Sequence, residues 1–209
     1  MAGQMTTTEL ARIRVLPVVV LDDPRHALPL ARALADGGVP CAEITLRTPA
    51  AVEAVATVAE LDGFLVGAGT VLTPEQFDRV VDAGARFVVS PGFSAVLSNR
   101  ASRRGVPAIP GVATASELMS ARAAGHTVVK LFPAAQLGGA ALVPALHGPF
   151  PDVRFVPSGG ISISNAAEYD LEPVLTVSTS WITPRDVIAA GRFDEITARA
   201  REFRAAVGR

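Results

Sequence analysis

Residues 41–72 read CAEITLRTPAAVEAVATVAELDGFLVGAGTVL, and the alternation within this stretch decides how the rest of the chain is read. Cys41 to Leu46 is a short β-rich run, Pro49 to Leu61 an Ala-rich amphipathic run opened by proline, and Phe64 to Ala68 a second apolar run. The outer two have strand length and turn-forming neighbours, while proline in a first turn and apolar residues at helical spacing mark the middle one as a helix. The unit is strand, helix, strand.

Working outward, the same alternation recurs. Further strands are expected at Val15 to Leu21, Phe87 to Val89, Ala108 to Ile109, Thr127 to Leu131, Arg154 to Val156 and Val174 to Val177. Helices are expected at Pro24 to Asp36, Pro74 to Ala83, Ser94 to Arg104 and Ser116 to Ala124, with Gly37, Gly84, Gly105 and Gly125 as stops. Eight βα units predict an α/β fold, a single (β/α)8 TIM barrel over residues 1–209, with an extra N-terminal helix at Thr6 to Arg12. The competing architecture is a doubly wound open sheet, but Gly67-Ala68-Gly69-Thr70-Val71-Leu72 lacks the third glycine of a dinucleotide-binding loop.

At 49% hydrophobic residues the chain can bury one sizeable core, and a net charge of −1 offers no basic stripe for nucleic acid and no polybasic patch for a membrane. A small-molecule partner is expected. The lone cysteine, Cys41, rules out an internal disulfide framework and reads as core filling. Val15 to Leu21 is too short for a signal segment and ends in Asp22-Asp23, and no apolar run approaches the roughly 18 residues of a bilayer span. A cytoplasmic location is expected.

Among nineteen basic residues only one is a lysine, Lys130, and it lies inside the apolar run Thr127-Val128-Val129-Lys130-Leu131-Phe132. An ion-pair role would suit arginine equally, whereas a desolvated primary amine can lose its proton and condense with a carbonyl. The alternative is a snorkelling strand-end residue in a chain biased towards arginine.

In a barrel, chemistry gathers at the carboxyl ends of the strands. Those ends carry Glu43, Thr45 and Arg47, then Gly69-Thr70, Ser90-Pro91-Gly92, Pro110-Gly111, Lys130, Ser158-Gly159-Gly160 and Ser178-Thr179-Ser180-Trp181. Glu43, Thr45 and Arg47 share a face by period-two alternation, so an acid can serve Lys130 and a guanidinium can clamp a carboxylate. The bland reading is a Glu43–Arg47 ion pair. Gly159 and Gly160 can turn backbone N–H groups to an anion. Asp22 and Asp23 read as helix caps, and Trp181 and Phe132 as core residues or as walls that dry the lysine's surroundings. His26, His126 and His147 lack ligand spacing, so no metal is expected.

The segments Glu43-Ile44-Thr45-Leu46-Arg47-Thr48, Val66-Gly67-Ala68-Gly69-Thr70-Val71-Leu72, Ser90-Pro91-Gly92, Ile109-Pro110-Gly111, Lys130-Leu131-Phe132-Pro133-Ala134 and Pro157-Ser158-Gly159-Gly160-Ile161 together resemble the 2-keto-3-deoxy-6-phosphogluconate aldolase family. The likeness runs in order from about Val15 to near the C terminus. It implies a class I, metal-independent aldolase on a (β/α)8 barrel, usually a homotrimer, needing no cofactor. By resemblance, Lys130 forms the Schiff base, Glu43 is the general acid and base, and Arg47 and Thr70 hold the pyruvate carboxylate. Pro91 and Phe132 line that pocket, Ser158 contacts the substrate, and Gly159, Gly160 and Ser180 contact a distal phosphate. Ser178-Thr179 stands where relatives usually have Gly-Gly, so side chains there are expected to crowd the phosphate or to replace backbone contacts with hydroxyl ones. The implied reaction cleaves 2-keto-3-deoxy-6-phosphogluconate to pyruvate and glyceraldehyde 3-phosphate. Cleavage of 4-hydroxy-2-oxoglutarate and of the galactonate epimer are close variants. A sugar-phosphate isomerase or epimerase and a non-catalytic keto-acid binder are the rival classes.

Overall fold

A computed structural model describes residues 2–208 of the protein. Helix α1 (Ala2–Ile13) leads into β1 (Val15–Val19), and a 3-10 turn at Pro24–His26 passes directly into α2 (Ala27–Asp36). The alternation continues through β2 (Cys41–Thr45), α3 (Ala51–Ala59), β3 (Leu65–Gly69), α4 (Pro74–Asp82), β4 (Val88–Val89) and α5 (Ala95–Arg104). Next come β5 (Ala108–Ile109), β6 (Gly111–Val112), α6 (Ala115–Ala123), β7 (Val128–Leu131), α7 (Leu142–His147) and β8 (Arg154–Pro157). The chain ends with β9 (Val177–Thr179), α8 (Arg185–Ala189) and α9 (Phe193–Val207).

Several of these elements start where local chemistry tells them to. Thr73 and Gln76 form a reciprocal cap at the start of α4, with Pro74 in the first turn, and Thr114 and Glu117 do the same for α6. Asp23 accepts from the Arg25 N–H at 2.9 Å and opens the turn before α2. Hydrogen bonds from the Arg25 side chain pull its carboxyl down to about 2.

The strands form a curled parallel sheet in the order β5-β4-β3-β2-β1-β9, and β6-β7-β8 form a second parallel set. Pro110 separates β5 from β6 because it has no N–H to donate to a ladder, yet its carbonyl still accepts from the Lys130 N–H at 2.9 Å. Isolated bridges join Phe155 to Val174 and Ser158 to Ser178, linking β8 to β9. Both faces of the sheet are buried, so β1, β2 and β3 are buried at every position.

Strand register brings polar groups to the concave face. Val18 pairs with Glu43 and Glu43 with Gly67, placing the three side by side. A Cβ on Gly67 would run into the Phe87 ring, and one on Gly69 into the Glu43 carboxylate. The glycines of β3 therefore make room for an aromatic floor and for the acid above it.

The last strand sits later than the sequence pattern places it. The apolar run Val174 to Val177 contributes a single bridge at Val174, and the strand itself is Val177–Thr179. Its hydroxyl residues are fully interior: Ser178 and Thr179 are at most 2% exposed. A scan for apolar runs stops short of such residues. Among the described residues, no helix is long and apolar enough to cross a membrane.

Candidate active site

Lys130 sits in the middle of β7, held between Gly111 of β6 and Val156 of β8. The side chain is buried, 5% exposed, and its Nζ donates to Glu43 Oε1 at 3.2 Å. Glu43 is itself only 1% exposed, and its second oxygen, Oε2, is buried without a protein partner. An acid with one oxygen on the amine and another unspent is equipped to move protons. The proposed Glu43–Arg47 pair does not form; the carboxylate is committed to the lysine. Burying an amine beside a carboxyl is costly whenever either is charged, and such clusters are enriched at functional sites.

Phe132 places its ring centroid 5.3 Å from Lys130 Nζ. Arg47 lies just past the end of β2, exposed, with its Nε donating to Thr70 Oγ1 at 3.3 Å. Thr70 adopts φ +57, a left-handed conformation that a β-branched residue rarely accepts. Such strain costs on the order of 1–3 kcal/mol and collects at functional sites.

Val18, Arg47, Lys130, Phe132, Ser158, Gly159, Gly160, Ile161, Thr179 and Ser180 line one cavity of about 200 Å³. Seven of the ten sequence-derived site residues, Lys130, Arg47, Phe132, Ser158, Gly159, Gly160 and Ser180, thus open on a common space. Glu43 reaches it through Lys130, and Thr70 through Arg47. Pro91 does not line it. Its backbone presses on Gly111, whose missing Cβ permits the approach, so it borders the strand pair that carries the lysine.

The contacts of three residues narrow the parts the sequence suggested, and for Trp181 they fit the core reading and not the wall. Thr45, expected to face the site beside Glu43, spends its hydroxyl on the Val19 carbonyl at 2.8 Å. Trp181 turns away and packs against Phe203 and Arg199, with ring-centroid and guanidinium distances of 6.1 and 4.7 Å. The chain has left the sheet by that point, so the indole serves α9 and does not dry the lysine's surroundings. Thr179 lines the cavity, but its hydroxyl donates to the Ile161 carbonyl at 2.7 Å and accepts from the Trp181 N–H at 3.0 Å. It therefore has no donor left for a ligand. Ser178 Oγ and Thr176 Oγ1 are buried without a protein partner.

The other candidates lie elsewhere. Asp22 pairs with Arg185 at 2.6 Å. His26 meets Phe193 edge-on, His126 shares a 2.7 Å hydrogen bond with Ser98, and His147 Nδ1 lies 3.2 Å from the Val153 carbonyl. Among the described residues, no three or more His, Cys, Asp or Glu side chains gather to hold a metal ion. Cys41 is fully buried, which pushes its thiol well above the usual range. A larger cavity of about 450 Å³ opens beside the strand starts at Pro107, Ala108, Thr127 and Val128, and it holds no acid and amine pair.

Comparison with known proteins places this arrangement. The family model described as KDPG and KHG aldolase matches residues 6–199. The 2-dehydro-3-deoxy-phosphogluconate aldolase of Treponema pallidum is 49% identical over 201 residues, covering 95% of this chain and 96% of its own. The KHG/KDPG aldolase of Escherichia coli is 46% identical over 190 residues, covering 90% and 89%. The crystal structure of KDPG aldolase from Legionella pneumophila, with pyruvate captured as a covalent carbinolamine, superposes with a TM-score of 0.90 at 42% identity, covering 94% of this chain and 96% of that one. On the match over most of its length and on these relatives, the chain belongs to the KDPG and KHG aldolase family, whose members are carbon–carbon lyases.

Proposed function

We propose that the protein is a class I aldolase that cleaves 2-keto-3-deoxy-6-phosphogluconate to pyruvate and glyceraldehyde 3-phosphate, and that also accepts 4-hydroxy-2-oxoglutarate, giving pyruvate and glyoxylate. One observation carries the reading: the chain's single lysine is buried 3.2 Å from a buried carboxylate and opens on a cavity edged by an arginine.

The neutral Lys130 amine adds to the C2 ketone, and loss of water from the carbinolamine leaves an iminium that draws electrons from the C3–C4 bond. Glu43 takes the C4 hydroxyl proton as that bond breaks, releasing the aldehyde and leaving an enamine. The same carboxyl returns a proton to C3, and water hydrolyses the imine to pyruvate and free amine. Arg47 holds the C1 carboxylate in its planar fork with Thr70 alongside. Ser158 contacts the substrate hydroxyls, and Gly159, Gly160 and Ser180 receive the phosphate at the far end. The galactonate-derived epimer differs only at C4 and shares every step.

This reading takes residues 1–209 as one domain, a complete (β/α)8 barrel led by α1 as an extra helix. It is supported by β5 and β6 acting as one strand broken at Pro110, by the bridges from β8 to β9, and by the burial of Leu10 and Ile13 of α1. A homotrimer in the cytoplasm completes it. Leu72, Val96 and Met119, on successive βα units, are each more than half exposed and are the apolar side chains the trimer would cover.

The test is to incubate the protein with pyruvate and borohydride, then map the adduct by mass spectrometry. A single pyruvate-derived adduct on Lys130 supports the reading; no adduct, or one only on the N-terminal amine, overturns it.

A further inference from the structure

The distal end of the cavity contains no cation of its own. Its lining there is Ser158, Gly159, Gly160, Ile161, Thr179 and Ser180, and among the described residues the charged side chains on the cavity are Arg47 and Lys130. An anion bound at that end is held by backbone N–H groups and by the serine hydroxyls, so the direction of each peptide unit contributes to affinity.

Those directions are fixed from outside the cavity, carbonyl by carbonyl. The Gly159 carbonyl accepts from the Ala135 N–H at 3.1 Å, and the Ser180 carbonyl from the Thr183 N–H at 3.1 Å. The Gly160 carbonyl accepts from Asn165 Nδ2 at 3.1 Å, while Asn165 Oδ1 takes the Ser162 N–H at 2.8 Å. The Ile161 carbonyl accepts from Thr179 Oγ1, whose lone pair in turn takes the Trp181 N–H. By contrast, among the described residues the N–H groups of Gly160, Ile161 and Ser180 donate to nothing within the chain, while that of Gly159 faces Ser178 across the Ser158–Ser178 bridge. Each of these carbonyls is tied back, and three of the four N–H groups are left over. Gly159 and Gly160, at φ +95 and +72, supply the turn that makes this possible.

We propose that Thr179 and Asn165 are positioning residues that brace the Gly159–Ile161 turn and the start of the segment after β9. The backbone N–H groups of Gly160, Ile161 and Ser180 are thereby held ready for the distal anion of the substrate. The proposal rests on the aldolase reading for the identity of that anion as a phosphoryl group, and it gives the hydroxyl of Thr179 a job inside the protein instead of against the ligand. A turn held from both sides loses little freedom on binding, which is where its affinity gain arises.

The test compares wild type with Thr179→Val, Thr179→Ser and Asn165→Ala. Two probes are used: inorganic phosphate by calorimetry, and KM and kcat for 2-keto-3-deoxygluconate with and without its 6-phosphate. Removing the hydroxyl in T179V is expected to weaken phosphate binding and to raise KM for the phosphorylated substrate about tenfold, with kcat within about twofold, the scale of one charge-assisted hydrogen bond. The unphosphorylated substrate should shift far less. T179S restores the hydroxyl and should behave as wild type, and N165A should move in the same direction as T179V, carrying the test if T179V fails to fold.

Equal shifts on both substrates, unaltered phosphate binding in T179V and N165A, or a wild type that binds no phosphate and ignores the 6-phosphate would overturn the brace. Borohydride trapping of pyruvate on the same samples separates the two ideas. Phosphate binding that weakens as expected with no Lys130 adduct sinks the aldolase reading alone; an adduct with unmoved phosphate affinity sinks the brace alone.

Discussion

The two ends of the cavity are built from different materials. The inner end uses side chains: a lysine and a glutamate 3.2 Å apart, an arginine against a strained threonine, and a phenylalanine ring over the amine. The outer end uses backbone, shaped by Gly159 and Gly160 and tied by Thr179 and Asn165. Side-chain chemistry can make and break bonds, and so in the proposed aldolase the inner end decides whether the reaction occurs. Backbone N–H groups can only bind, so the outer end decides which aldehyde portion is carried. Changes to the lysine and glutamate should therefore fall on kcat, and changes at the outer end on KM.

The largest effect should follow Lys130→Met. Loss of the only side-chain amine near the cavity should lower kcat by about four orders of magnitude or more, the scale lost when a covalent nucleophile is removed. It also strands the Glu43 carboxylate in a buried site, costing about 3–5 kcal/mol. K130M combined with Glu43→Gln should recover much of that stability and none of the activity. Denaturant unfolding of the single and double variants reads the first effect and steady-state assay the second; a double variant no more stable than K130M would mean the pair is not coupled.

Glu43→Gln alone should lower kcat by about 10²–10⁴-fold, the usual contribution of a positioned acid or base, while borohydride still traps pyruvate on Lys130. Turnover near wild type would hand proton transfer to water or another group. Gly69→Ala is a subtler probe of the same end. Its methyl would push into the Glu43 carboxylate, so a cost of about 1–3 kcal/mol and a drop in kcat with little change in KM are expected. A variant with unchanged kcat would show that the acid tolerates displacement.

The contrast also separates what a sequence announces from what it conceals. The inner end was legible because its residues are chemically exceptional: one lysine in an apolar run, and Glu43 and Arg47 at a strand end. The strand and helix alternation was legible because apolar periodicity and proline and glycine punctuation mark it. What stayed hidden depends on contacts between distant segments. Nothing local says that Thr45 bonds the Val19 carbonyl, that Trp181 turns toward Phe203, or that Thr70 takes a left-handed φ. Ser178-Thr179 reads in sequence as crowding a phosphate or offering it hydroxyls, because the partner of the Thr179 hydroxyl, Ile161, lies 18 positions away in a different loop. Asn165 drew no attention because an asparagine in a serine-rich loop is unremarkable until its two amide atoms are seen to hold Gly160 and Ser162.

The smallest expected effect extends the comparison to the opposite end of the strands. His126 lies just before β7, half-buried, with its ring hydrogen-bonded to Ser98 and edge-on to Phe93. Burial lowers its pKa, opposed in part by a backbone hydrogen bond involving Ala108. The unfolded chain, with an ordinary histidine near 6.5, therefore binds more protons than the folded one as pH falls. The stability conferred by the neutral ring is complete above about pH 6.5 and is lost as pH drops through the lower folded value. Urea unfolding between pH 7.5 and 5 should show a decline in wild type that is shallower in His126→Gln, while kcat at pH 7.5 stays within about twofold of wild type, as expected for a residue at the end of the strands opposite Lys130. Parallel declines in both proteins would assign the acid sensitivity to other groups. A large loss of kcat in H126Q would break the division of labour between the two ends, because it would tie the strand starts to the chemistry at the strand ends.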